Sequence, residues 1–252
     1  MTNKLTIVQT INSQLVSYIV TETLGFEELA IALIANQFAS TTLQLDFLKM
    51  SGILPPDWEL QKQPVLTATV SQLNFKNGVN IVAQARSITF SQAIEPNSGN
   101  TPQIPALARQ FVEKLPNADY QGISINPKIL IAFSDGQNTA RKFITETLLS
   151  PGLWNTIGIA QVQAAVNFFY QLERCKLLVN LNEAQVQQPN QIPMSALLFS
   201  GNFNYEIGNY GLEERLKQMI MRLENFSTDV EEFRAIVSNK FLGQQEDNVF
   251  NQ

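Results

Sequence analysis

The chain has one cysteine, and both of its neighbours are cations: Arg174-Cys175-Lys176. Two adjacent positive charges lower a thiol pKa and raise its reactivity. Against that, there is no histidine and no second cysteine to work with it, and Cys175 falls where one strand hands over to the next. Paired carboxylates can do acid–base work without histidine, and two adjacent pairs occur, Glu213-Glu214 and Glu231-Glu232. Both are interleaved with Arg215, Lys217 and Arg234 along a helical pattern, as on a solvated, ion-paired helix face. Asp135 carries oxygens suited to a hard cation, but an Asp before Gly136 is first of all a turn residue that caps its own backbone.

Other chemistry is excluded by absence. Without histidine there is no Ser-His-Asp or Cys-His triad, no imidazole proton shuttle and no His-ligated metal. With one cysteine there is no intrachain disulfide, no CxxC pair and no Cys-based zinc or iron–sulfur site. No phosphate-binding glycine loop, nucleophile elbow or EF-hand loop is present. The expectation is a chain with no catalytic residues, no cofactor site and no metal site.

The 252 residues carry 44% hydrophobic and 15% charged side chains, with a formal net charge of −5. Asn (23) and Gln (24) together outnumber the charged residues, so much of the surface must be neutral and rich in hydrogen-bonding groups. Residues 1–60 and 205–252 are each net −4 and the middle is net +3. Its bases are scattered singly apart from Arg141-Lys142 and Arg174-Cys175-Lys176, unlike the clustered basic stripe of a nucleic-acid binder. The N-terminal segment is interrupted by Gln9, Thr10, Asn12, Ser13 and Gln14, and Leu29 to Ala35 is far short of the ~20 residues that span a bilayer. The sequon Asn225-Phe226-Ser227 lies inside a helical pattern. These features point to a cytoplasmic protein that binds neither nucleic acid nor membrane.

Residues 5–20 fit both helical and strand periods, while Phe26 to Phe38 reads as a helix that is apolar almost all round. Thr41 to Leu48 reads as a short strand. Val65 to Phe75 and Val79 to Phe90 flank Lys76-Asn77-Gly78, where Asn-Gly predicts a type I′ hairpin turn; both arms slip phase midway, the signature of a bulge or strong coil. Thr101-Pro102 opens a helix with Ile104, Leu107, Ala108, Phe111, Val112 and Leu115 on one face. Tyr120 to Phe133 reads as a strand interrupted at Pro127, and Thr139 to Leu149 as a helix. Gln161 to Leu172, Lys176 to Val186 and Leu197 to Ile207 alternate as strands. Leu212 to Leu242 is helical, with Thr228 and Glu231 in capping-box spacing and a joint near Ser227.

Hairpins dominate, and no βαβ alternation runs through the chain. This predicts one α+β unit over residues 1–252, with a candidate sub-boundary near 134–160. The sheet is largely antiparallel, with amphipathic helices on one face. The two halves each hold a hairpin, a further strand and a helix, but in a different order and without sequence identity.

Three stretches carry a resemblance: Asp119-Tyr120-Gln121-Gly122-Ile123-Ser124-Ile125-Asn126-Pro127, Phe199-Ser200-Gly201-Asn202-Phe203-Asn204-Tyr205, and Phe75-Lys76-Asn77-Gly78. They resemble a group of uncharacterised bacterial, mainly cyanobacterial, proteins over roughly residues 60–242. The resemblance implies no activity, site or substrate.

The function expected is that of a non-catalytic binding or assembly protein using an amide-rich sheet face or the long C-terminal helix. Two rivals are a small-molecule enzyme built on carboxylates, Lys and Tyr, and a scaffold that takes client peptides along a sheet edge. Adjacent Phe168-Phe169 must place one aromatic on each face of a strand, and Met221 lies off the stripe of Met219, Ile220, Leu223, Phe226 and Phe233. Both features predict a homo-oligomer, most simply a dimer; the alternatives are a protein partner as cover and a single chain whose N-terminal helices cover both faces.

Overall fold

The computed structural model describes residues 4–11, 14–21, 26–38, 44–67, 69–94, 101–133, 138–187 and 192–243. Two strands, β1 (Lys4–Ile11) and β2 (Gln14–Thr21), pair as a separate hairpin, which settles the ambiguous period of residues 5–20. The rest of the fold is a nine-stranded antiparallel sheet in the order β4-β5-β6-β7-β3-β8-β11-β10-β9. Its strands are β3 (Phe26–Ala35), β4 (Val65–Leu66), β5 (Val70–Asn74), β6 (Val79–Gln84), β7 (Ser87–Ile94), β8 (Tyr120–Ala132), β9 (Val166–Gln171), β10 (Lys176–Val186) and β11 (Met194–Glu206). Five α-helices, α1 (Leu45–Met50), α2 (Ile104–Lys114), α3 (Thr139–Lys142), α4 (Leu212–Glu224) and α5 (Phe226–Ala235), are described; α3 and α5 continue as π-helical segments, Phe143–Leu148 and Ile236–Phe241. The architecture is the expected α+β with an antiparallel sheet.

The core lies between one sheet face and the helices. Leu29, Ile31 and Leu33 of β3, Ile88 and Phe90 of β7, Ile123 and Ile125 of β8, and Phe199 and Phe203 of β11 are all buried on that face. Phe111 of α2 meets Phe90 edge-on at 5.8 Å, and Phe233 of α5 meets Phe203 at 6.5 Å. Each such aromatic buries a large apolar area and adds an edge-to-face contact of about 0.5–1.5 kcal/mol.

Several local expectations are corrected. Phe26 to Ala35 is the strand β3 near the centre of the sheet, not a helix. A central strand with Ala on its second face reads as apolar all round, and periodicity cannot separate it from a buried helix. Leu45–Met50 is helix α1 where a strand over 41–48 was expected; residues 41–43 lie outside the described residues. The arm Val79 to Phe90 is two strands folded back at Ala85-Arg86, with Gln84 opposite Ser87. In the other arm β4 pairs antiparallel with β5, and Thr67 and Val70 close the reversal. The phase slips mark chain reversals, not bulges, and neither contains the Gly, Asn or Pro that announces a turn. Asn77-Gly78 does make a hairpin, but Phe75 pairs with Val79 across a three-residue loop, with Gly78 at φ +83°. This is the longer hairpin form with a left-handed glycine, not type I′. Strand β9 covers only Val166–Gln171 of the expected 161–172. Strand β8 runs through Pro127 without a break. The α4–α5 joint falls at Asn225, and the Thr228/Glu231 capping box does not form it.

These corrections expose a symmetry that the sequence hid. Apart from the two-residue β4, which precedes β5 in the first half, the order strand, helix, three-strand meander, helix occurs twice: β3, α1, β5-β6-β7, α2, then β8, α3, β9-β10-β11, α4. In the sheet, β5-β6-β7-β3 mirrors β9-β10-β11-β8 about the antiparallel β3–β8 pair. The parts therefore share one order, contrary to expectation. Misreading β3 as helix and α1 as strand had scrambled the first half.

Candidate functional site

Alternation sends every second residue of the sheet to the face opposite the core, and there amides, serines and alanines predominate, with two ion pairs and the apolar Leu178 and Phe169 among them. One cross-strand row runs over eight strands: Asn74, Asn80, Ser91, Ala30, Asn126, Asn202, Leu178 and Phe169. A neighbouring row holds Glu28, Lys128, Ser200, Asn180 and Asn167. Amides link across the strands, where Asn202 Nδ2 donates to Asn126 Oδ1 at 2.6 Å and Asn180 donates to Asn167, and along β8, where Asn126 Nδ2 donates to Ser124 Oγ at 3.0 Å. Asn182 in turn donates to Asn180. Asn74 is 6% exposed, and its Nδ2 has no hydrogen-bond partner among the described residues. The lysines on these strands are answered on the same face, Lys128 by Glu28 at 2.8 Å and Lys176 by Glu206 at 2.6 Å. The result is a broad, charge-balanced surface of amide donors and acceptors.

The chemistry-bearing residues singled out from sequence go elsewhere. Cys175 is buried, and burial pushes its thiol up despite Arg174. Arg174 is turned onto α5, with Nη2 2.7 Å from Asp229 Oδ1 and a second contact to Glu232. Asp229 is 2% exposed and also accepts from Tyr205 Oη at 2.8 and 2.7 Å. Burial opposes the Arg174 charge, but its bonds to Asp229, Glu232 and Tyr205 outweigh that and raise its pKa. Burial first, and donation to Asp229 second, push the Tyr205 phenol well above its usual range. Each of Arg174, Tyr205, Asp229 and Glu232 has a protein partner in this cluster, which anchors the β9–β10 turn to α5.

The carboxylate pairs divide. Glu213 pairs with Lys217 at 2.9 Å and Glu214 accepts from Gln218 at 2.8 Å, both on the solvated helix face that was expected. Glu232 instead joins Arg174, and Arg234 binds Glu27 of β3 through two bonds of 3.0 and 2.7 Å. Arg141 of the only other basic cluster is held by Glu183 at 3.0 and 2.9 Å. Asp135 lies outside the described residues. A depression of about 220 Å³ opens beside the cluster, lined by Lys176, Glu206, Tyr210 and Arg222 among others. Its Lys176–Glu206 pair is closed on itself, and Arg222 stacks over the Tyr205 ring at 4.6 Å. A second depression, about 470 Å³, lies where β9 stops and β10 runs on, between Gln163–Ala165 and Asn182–Gln185.

Sequence reasoning missed the Asp229 cluster, although a signal was present. Asp229 sits in the helical stripe of Phe226, Val230 and Phe233, where a carboxylate must be buried and therefore paired. No protein-family model, curated protein or solved structure matches the chain. Among the described residues no helix is long and apolar enough to cross a membrane, and no group of His, Cys, Asp and Glu is arranged to hold a metal ion.

Proposed function

We propose that this is a non-catalytic cytoplasmic binding or assembly protein whose working surface is the amide-lined face of the sheet. The observation that carries the reading is the neutral row from Asn74 to Phe169, with the lysines of the rows beside it paired in place. Such a face recognises a neutral, hydrogen-bonding partner, as a protein surface is; it offers no steering field for phosphates or anionic lipid. The closed state of the Tyr205–Asp229–Arg174 cluster speaks against the enzyme rival, because an acid–base site needs a group free to exchange its proton. A lone buried thiol suits a reducing compartment.

The test charges the face without changing its shape. Affinity capture from the source cell with the full chain should recover a partner, and Asn80→Asp with Asn202→Asp should lose it, while Glu213→Gln on the far helix face retains it. Undiminished capture by the charged variant would move the working surface elsewhere. Turnover of a small molecule abolished by Tyr205→Phe would replace the reading with the enzyme.

A further inference from the structure

The two halves end their sheets differently, and the difference identifies a partner. The outer edge of β5 is covered by its own chain: Gln61 N donates to Asn74 O at 2.8 Å, Lys76 N donates to Glu59 O at 3.0 Å, and β4 pairs Val65 with Gln72. Strand β9 occupies the equivalent position and closes the sheet with no described strand beyond it. Its ladder to β10 starts where Leu172 N donates to Cys175 O. Antiparallel alternation then turns the N–H and C=O of Asn167, Phe169 and Gln171 towards the free side.

Exposed edges are normally guarded by charge, proline, a bulge or shortness. The segment Val166-Asn167-Phe168-Phe169-Tyr170-Gln171-Leu172 has no charge, proline or glycine. Phe169 is 81% exposed and Tyr170 41%. The segment is also chemically palindromic about Phe169: Phe168 mirrors Tyr170, Asn167 mirrors Gln171, and Val166 mirrors Leu172. A strand that pairs antiparallel with itself about a two-fold axis sets each residue against its mirror position, and here every such pair is alike in chemistry. The three outward-facing residues are the ones that such a register joins, Phe169 to Phe169 and Asn167 to Gln171.

We infer that β9 is a homodimer interface, in which two copies pair edge to edge with Phe169 on the two-fold axis. Asn167, Phe169 and Gln171 exchange backbone hydrogen bonds with the second copy, and the sheets join into one. On the core side, Phe168 and Tyr170, already stacked within one chain at 6.3 Å, meet their mirror images. The chain leading into β9 exposes Leu153, Ile157 and Ile159, which add apolar surface beside the strand in sequence. The dimer is made by the backbone edge of β9 and is read by mass, separately from partner capture, although Asn167 and Phe169 also end the rows of the amide face.

Sedimentation velocity of the full chain from ~1 to ~100 µM should show a rise from 28.2 kDa to twice that mass. Asn167→Lys with Gln171→Lys sets lysines opposite lysines and should weaken the dimer by about tenfold or more. Asn167→Glu with Gln171→Glu should do the same. Mixing the two variants should restore the dimer, because in this register every Lys faces a Glu. A wild-type chain that stays monomeric overturns the inference. So does a dimer indifferent to these changes, or a mixture that stays apart while the wild type associates. Circular dichroism verifies folding of each variant. If either is unfolded, Phe169→Cys with Cys175→Ser decides: thiols held together on the axis should oxidise to a linked dimer far faster than those of the exposed control Met50→Cys with Cys175→Ser, and equal rates overturn the inference.

Discussion

The first half of the sheet, β3 with β5-β6-β7, and the second, β8 with β9-β10-β11, share one topology but hold their outer hairpins by different means. In the first half the chain runs back along β5, and Trp58 packs edge-on against Phe75 at 5.2 Å. The hairpin is held by covering its edge. In the second half the β9–β10 turn is clamped from the core side, with Arg174 on Asp229 and Glu232, and Phe168 against Phe241 at 5.2 Å. A clamp from one face leaves the edge open. The buried ion cluster and the unguarded strand are thus two sides of one arrangement, and the comparison assigns the cluster a structural role.

The largest expected effects test whether the two halves contribute equally to one cooperative core. Phe111→Ala in α2 and Phe233→Ala in α5 each remove a buried ring from a helix that covers one half of the sheet, and should each cost about 3–5 kcal/mol in denaturant unfolding. A loss confined to one of them would break the equivalence. Next, Asp229→Ala leaves the Arg174 guanidinium and the Tyr205 hydroxyl without their carboxylate. It should cost about 2–4 kcal/mol, and a double-mutant cycle with Arg174→Ala should recover much of it. Additive losses would refute the clamp.

Gly201→Ala comes third. A Cβ there would meet the Phe233 ring at 2.7 Å and the Pro127 ring at 3.1 Å, so the helix α5 contact must shift, at about 1–3 kcal/mol. Smaller again is Gly78→Ala in the first half, about 1 kcal/mol, since Gly78 has φ +83° but open space around it. The slightest effect is on reactivity: Cys175, buried with its thiol raised, should alkylate slowly at neutral pH in the folded chain and quickly in denaturant. Rapid folded-state labelling would reopen the reactive-thiol reading of Arg174-Cys175-Lys176.

The candidate face was partly legible in advance. Asn202 and Asn204 alternate against Phe199, Phe203 and Tyr205, so an amide-bearing face could be read from one strand alone. That Asn202 continues through Asn126 to Asn80 and Asn74 could not, because cross-strand neighbours depend on register between segments far apart in sequence. Phe169 was legible as the residue that must leave the core. That it sits on the last strand of the sheet was not.

By itself the sequence determined what is local or compositional. With no histidine and one cysteine, it excluded whole classes of chemistry. Alternation and hairpin spacing announced an antiparallel α+β protein, and the spacing of Phe226, Val230 and Phe233 a helix with one apolar side. Only tertiary structure decided that Leu29 to Ala35, fit for helix or strand, lies extended between β7 and β8. It also brought Arg174 to Asp229 and left β9 with no described strand on its outer side. The reason is physical: helix and turn preferences act over a few residues, whereas strand order, burial and ion pairing are settled by whichever distant segments supply the missing hydrogen bonds, apolar contacts and counter-charges.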